Sequence, residues 1–162
     1  MSTYNTKTIA KLAIVAAIYV VLTLSFFVIS YSAVQFRISE VLLLLCFFNP
    51  KYGISLIIGC FLANVIASPA GPIDWVLGTA HTIIAVLFII QARKMKLPLW
   101  VASLGAIIGT PLIGWALHIG LGFPFIATTL WVALGEFVVV TVVGVPLFGW
   151  LRKREKFMEV LG

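Results

Sequence analysis

The sequence predicts an all-α polytopic membrane protein, a bundle of six transmembrane helices with both termini cytoplasmic. Three observations carry that expectation. The 162 residues are 62% hydrophobic and 10% charged, with a mean hydropathy of +1.18, whereas a soluble domain is about 45–50% apolar and about 25% charged. A chain this small cannot hide so much apolar surface in one core, so lipid must replace water around it. Apolar runs alternate with short breaks rich in proline and glycine, and the basic residues fall almost entirely at one set of those breaks. At about 20 apolar residues per crossing, the length admits six or seven spans at most. Residues 1–162 therefore read as one integral membrane domain.

The first span, residues 9–29, follows Lys7 and Lys11. About 18 apolar residues without a small-residue cleavage site favour a retained helix over a signal peptide. The second, 38–49, has about 12 residues, roughly 18 Å at 1.5 Å per residue. It must either begin inside the Ser30 to Phe36 stretch or cross a thinned region. The third, 52–67, opens after Asn49-Pro50 and closes at Ser68-Pro69-Ala70-Gly71-Pro72, where proline withholds a backbone donor and glycine permits a sharp turn. The fourth covers 74–92, the fifth follows Leu97-Pro98 over 98–118, and the sixth follows Gly120-Leu121-Gly122-Phe123-Pro124 over 124–151. Neither paired inverted repeats nor the broken helices of secondary transporters are visible.

Alternating these spans puts Lys7, Lys11, Lys51, Arg93, Lys94, Lys96, Arg152, Lys153, Arg154 and Lys156 on one side and Arg37 alone on the other. That is the positive-inside pattern, with the basic side cytoplasmic. The net charge of +6 is then topology and attraction to anionic lipid, and no nucleic-acid partner is expected. Cys46 and Cys60 lie inside apolar runs without ligand spacing to a histidine, which speaks against disulfides and metal.

Arg37, Glu40, Asn64, Asp74, His81, His118 and Glu136 all fall in the outer half or near the midplane of this register. An ionised group at the bilayer centre costs at least about 2.5–3.5 kcal/mol and so faces a bundle interior, a partner or an aqueous cavity. Glu136 lies about 12 residues into the last span, roughly 18 Å deep, with Thr129 and Val143 on its face. It reads either as a ligand contact or as a carboxyl satisfied by a neighbouring helix. Asp74 opens the fourth span, where an N-cap role is equally open. Asp74, Gly78, His81 and Ala85 share a stripe, with Gly78 leaving room between acid and imidazole. His81 taken alone reads as an interhelical hydrogen-bonding residue, and His118 as an interfacial histidine. Arg37 and Glu40, spaced i, i+3, suggest a local ion pair. Trp75, Trp115 and Trp131 fit an outer aromatic belt and Trp100 and Trp150 an inner one; Trp115, one turn from His118, could also stack on a flat ring. Ala10, Ala13 and Ala17 form a smooth strip on the first span, suited to helix packing within the chain or to docking another membrane protein.

The chain carries no phosphate loop, no His-Glu-x-x-His, no nucleophile elbow and no dinucleotide fingerprint. Transport energy would have to come from another subunit. The segments Gln35-Phe36-Arg37-Ile38-Ser39-Glu40, Ile58-Gly59-Cys60-Phe61-Leu62-Ala63-Asn64, Asp74-Trp75-Val76-Leu77-Gly78-Thr79 and Gly135-Glu136, in that order, resemble the QueT family of substrate-binding S components of energy-coupling factor (ECF) transporters. The resemblance covers nearly the whole chain. It implies an S-component fold in the bacterial cytoplasmic membrane, and uptake of a queuosine precursor or salvage product: cyano- or aminomethyl-deazaguanine, or queuine. A transmembrane T component and two ABC ATPases would supply the energy, and the alanine strip would meet the T component. No cofactor and no catalysis are implied. His81 stands where the family is expected to have a small or apolar residue.

A 7-deazaguanine ring offers N1–H and an exocyclic amine side by side, which one carboxylate can accept. Glu136 is the residue chosen for that role, Asp74 for an aminomethyl cation, and Trp115 for stacking. Asn64, His81, Arg37 and Glu40 complete the expected substrate site, with Tyr31 and the Ser30 to Phe36 segment as a lid. Two alternatives stand beside this reading. One is a self-contained facilitator or proton-coupled carrier relaying protons through Glu136 and His81. The other is a small membrane enzyme using Asp74, His81 and Glu136, which lacks an accompanying nucleophile or metal set.

Overall fold

In lipid a backbone without water must satisfy its own hydrogen bonds, and helices do this within one segment. The computed structural model describes residues 5–31 and 35–161, and the regular structure among them is all helical. Helix α1, Thr6–Ser25, is capped by the Asn5 side chain, which accepts from the Lys7 backbone N–H; one further helical turn, Phe27–Ser30, follows a break at Phe26. Then come α2 (Ile38–Phe48), α3 (Tyr52–Ala67), α4 (Pro72–Lys94), α5 (Leu99–Leu121) and α6 (Phe125–Leu151). Of these, α1, α4, α5 and α6 are long and apolar enough to cross a membrane, while α2 and α3 are shorter apolar helices. A last helix, α7 (Glu155–Leu161), was not expected from the sequence.

Helix α2 does not begin within Ser30 to Phe36 in the described residues. Gln35–Arg37 is non-helical and the helix opens at Ile38. Its winding lengthens it only slightly: Ile38–Leu44 is a 3₁₀ helix, which rises about 2.0 Å per residue. With the α-helical turn Leu45–Phe48 the element reaches about 20 Å.

Helices α5 and α6 are not uniform either, contrary to the expectation of unbroken spans. Helix α5 is interrupted at Leu104 and Gly109. Pro111 has no N–H to give the Ile107 carbonyl, and the Thr110 hydroxyl donates to that carbonyl instead, at 2.9 Å. In α6, Phe137–Gly144 is wound as a π-helix. Buried positions run Thr128, Val132, Gly135 and Glu136 in the first part, then shift to Val139, Val140 and Gly144. The wider turn rotates the inward face, so Val143 is 54% exposed and does not share the face of Glu136.

Helix α1 packs on α3, α3 on α4, and α4 on α5, while the two halves of the α5–α6 hairpin pack on each other and α2 lies against the π segment. Leu43, Leu44, Leu56, Cys60 and Ile89 are among the buried residues of the main core. Lys11, Lys51 and Arg93 gather at one end: Lys11 and Lys51 line one pocket with Asn49, and Lys51 and Arg93 line another with Asn49 and Leu161 of α7. Helix α7 is held there by the Asn49 side-chain amide, which donates to the Leu161 carbonyl at 2.6 Å, and by Phe157 edge-on to Phe148.

Candidate functional site

At the end opposite the basic cluster, four elements deliver polar side chains to one buried locus. Arg37, in the approach to α2, is 3% exposed. Its Nη2 donates to Asn64 Oδ1 on α3 at 2.9 Å and stands 3.6 Å from Asp74 Oδ2 on α4. Its Nη1 is 3.9 Å from Glu40 Oε1, one turn along α2. The guanidinium also lies 5.0 Å from the centre of the Tyr31 ring, a cation–π contact. The expected local pair with Glu40 is therefore present, but Arg37 ties three helices together rather than closing one turn.

Each partner is held in turn. The Tyr19 hydroxyl on α1 donates to Glu40 Oε1. Tyr31 places its hydroxyl 3.0 Å from the Ala63 carbonyl and 3.2 Å from Asn64 Oδ1. Asp74 is in the first turn of α4 but is not its cap: Gly71 occupies that position at φ +64°, with no side-chain capping bond. The carboxylate instead accepts from the Ser68 hydroxyl at 2.5 Å. A positive φ favours glycine, so Gly71 makes the break before α4, and Asp74 three residues on is fully buried.

The stripe Asp74, Gly78, His81 and Ala85 is buried as expected. A Cβ on Gly78 would stand 2.6 Å from Asn64 Nδ2 and 2.7 Å from Asp74 Oδ1, so the missing side chain admits this pair. The His81 imidazole is paired across helices, its Nε2 lying 2.8 Å from the Ala106 carbonyl in the interrupted stretch of α5, where Gly109 leaves room for the ring. A carbonyl only accepts, so Nε2 carries the proton and Nδ1 of a neutral ring is an acceptor. Glu136 is 4% exposed, on the inward face of α6.

Several polar atoms here are buried without a hydrogen-bond partner among the described residues: Glu40 Oε2, Asp74 Oδ1, Glu136 Oε2 and His81 Nδ1 as acceptors, Gln35 Nε2 and Arg37 Nε as donors. Native interiors pair nearly all such atoms, and an unpaired one costs about 1–3 kcal/mol. The set is weighted toward acceptors, three carboxyls against one guanidinium. It suits a compact ligand that brings several N–H donors and a carbonyl acceptor.

Seven residues were expected to form the site: Arg37, Glu40, Asn64 and Asp74 meet directly, His81 shares the buried stripe of α4 with Asp74, and Glu136 is buried on α6 with no hydrogen bond or ion pair to them among the described residues. Trp115 does not join them: it is 55% exposed and packs edge-on to Phe125, on a face of α5 whose inward positions are Ile113, Gly114, Ala116 and Leu117. His118 is also outside, its Nδ1 at 2.7 Å from the Phe123 carbonyl. Of the expected lid, Ser32–Val34 lie outside the described residues. Tyr19, Ser68 and Gln35 were not singled out as site residues. Tyr19 had a legible signal: it and Thr23 put two hydroxyls at i, i+4 inside an apolar span, and Thr23 pairs with Ser39 of α2 at 2.7 Å. Ala10, Ala13 and Ala17 face outward on α1, and Ala13 and Ala17 line a groove of about 470 Å³ with Ile54, Ile58 and Leu62 of α3.

Among known proteins, the family model described as QueT transporter matches residues 9–153. A protein of Lactococcus lactis subsp. cremoris named queuosine precursor transporter QueT is 45% identical over 69 residues, which cover 41% of this chain and 41% of that protein. No solved structure matches.

Proposed function

The chain belongs to the QueT transporter family, and on that premise we propose that it is the substrate-binding S component of an ECF-type importer for a queuosine precursor or salvage product. The name of the Lactococcus relative supports this substrate class. The observation that carries it is the buried cluster's unpartnered polar atoms, an acceptor-rich set beside two donors. In this reading Glu136 Oε2 accepts from the ring N1–H and exocyclic amine, and Asp74 Oδ1 accepts from an aminomethyl cation when one is present. Arg37 Nε or Gln35 Nε2 donates to the ring carbonyl. Glu40, Asn64 and His81 hold and tune these groups, with His81 Nδ1 as a further acceptor.

The same reading makes the protein a six-span bundle in which α2 and α3 also cross and the basic end faces the cytoplasm. The outward strip Ala10, Ala13 and Ala17 allows close approach of another helix and is assigned to the T component, with two ABC ATPases behind it. The test is reconstitution. Alone in liposomes the protein should bind cyano- or aminomethyl-deazaguanine saturably and sustain no uptake, and uptake should appear only with the T component, the ATPases and ATP. Downhill flux by the protein alone would establish the self-contained facilitator instead. Recovery of bound ligand in unmodified form separates both from an enzyme.

A further inference from the structure

Helix α1 buries only Ala16, Tyr19 and Thr23, and it is flanked by a groove on each side. The alanine strip lines one. The other, about 330 Å³, runs between α1 and α6 and is closed by α7: Ile14, Val15 and Ile18 form one wall, Leu147 and Phe148 the other, and Phe157 part of its end. This volume is within the range of small-ligand pockets. The groove is almost wholly apolar until it reaches Lys11 and Tyr52. Those two residues also line a smaller polar pocket with Thr8, Asn49 and Lys51. The two spaces share Lys11 and Tyr52 as walls, so the apolar trough ends beside a narrow polar mouth of about 10 Å³ with two lysines, two hydroxyls and an amide. Among the described residues, none that lines either space is acidic.

We propose that this composite groove is a binding site for an anionic phospholipid, one acyl chain lying in the trough between α1 and α6 and the phosphate headgroup held at Lys11 and Lys51. The chemistry is complementary along its length. An acyl chain matches a trough whose walls are Ile, Val, Leu and Phe. A lysine near the membrane surface favours anionic over neutral headgroups, and Lys51 stands at the turn between α2 and α3, within reach of the same mouth. The polar rim explains the choice of a lipid over a helix from another protein, because a packed helix would cover Lys11 with apolar surface and strand its charge. The site is separate from the substrate cluster and independent of which substrate that cluster takes.

The experiment is native mass spectrometry of the purified full chain titrated with phosphatidylglycerol or phosphatidylcholine of identical acyl chains. Retained adducts should be dominated by phosphatidylglycerol. Lys11→Gln should weaken that lipid about five-fold, the effect of one surface cation, and leave phosphatidylcholine unchanged. Ile14→Trp, a large ring on an exposed wall position, should weaken both lipids, and glycerol phosphate should not displace either. The inference is overturned if phosphatidylglycerol is retained equally by Lys11→Gln and Ile14→Trp, which marks general attraction to the basic end, or if glycerol phosphate displaces it, which marks a free-phosphate site. Thermal melting of each variant, unchanged from the parent, separates lost lipid binding from lost fold.

Discussion

At the level of single residues, the buried cluster turns on which carboxyl oxygens are already occupied. Asp74 spends Oδ2 on Ser68 and Glu40 spends Oε1 on Tyr19, while Glu136 Oε2 has no partner among the described residues. Glu136→Gln keeps the volume but can replace an acceptor with a donor facing the ligand's own donors. Loss of that charge-assisted bond should cost about 1.5–3 kcal/mol, or roughly ten- to a hundred-fold in deazaguanine affinity by calorimetric titration. Unchanged binding would mean that the carboxyl only ties helices together. Asp74→Asn should cost more with the aminomethyl than with the cyano compound, because only the former brings a cation. Gly78→Ala places a methyl within 2.7 Å of both Asn64 Nδ2 and Asp74 Oδ1. It should lower stability by about 1–3 kcal/mol and weaken ligand binding as well, readable from a thermal shift with and without ligand. The burial of Glu136 was legible from the sequence, since charge in an apolar run is conspicuous, whereas Arg37 read as a residue at the mouth of the short helix and its burial was not. The exclusion of Trp115 was not, because one residue of rotation on α5 separates an inward from an outward indole.

At the level of elements, three irregular helices shape the site. The 3₁₀ winding of α2 lets a short element carry Arg37 and Glu40 at one end while its other end reaches α7. The interruption of α5 leaves the Ala106 carbonyl available to His81, and the Thr110 hydroxyl compensates the missing Pro111 donor. A double-mutant cycle tests that compensation. Thr110→Val should destabilise the parent by about 1–3 kcal/mol, the cost of an unsatisfied buried acceptor, and distinctly less in a Pro111→Ala background, where a backbone N–H is restored. Equal costs in both backgrounds would refute it. On α1, Ala13→Trp or Ala17→Trp should leave ligand binding largely intact and abolish uptake by the assembled transporter, since a ring on the outward strip blocks helix approach far from the cluster. Normal uptake by both variants would remove the strip as the docking surface. The helix positions themselves were legible from hydropathy and from proline and glycine breaks, and the irregular winding was not. In α5 it goes with the missing donor of Pro111, which the neighbouring Thr110 hydroxyl replaces, and with the Ala106 carbonyl turned to His81 of another helix, a pairing that no local pattern states.

Across the whole molecule the charge asymmetry makes its own prediction. In a background lacking Cys46 and Cys60, Pro69→Cys at the cluster end should react with an impermeant thiol reagent in intact cells, and Met95→Cys beside Arg93 and Lys94 should react only after permeabilisation. The reverse pattern would invert the topology, and equal labelling of both would sink the alternating arrangement. Membrane residence, the helical class and the segregation of basic residues were determined by the sequence alone, because each is a sum over neighbouring residues: apolar length, backbone breaks and loop charge. What only the tertiary structure decided is which polar atoms meet. Arg37 with Asn64 and Asp74, Tyr19 with Glu40, and His81 with Ala106 are contacts between residues 21 to 37 positions apart, on different helices. Whether a buried oxygen is spent or left unpaired depends on the rotation and crossing of those helices, and a 3₁₀ stretch, two breaks and a π segment each reset that rotation.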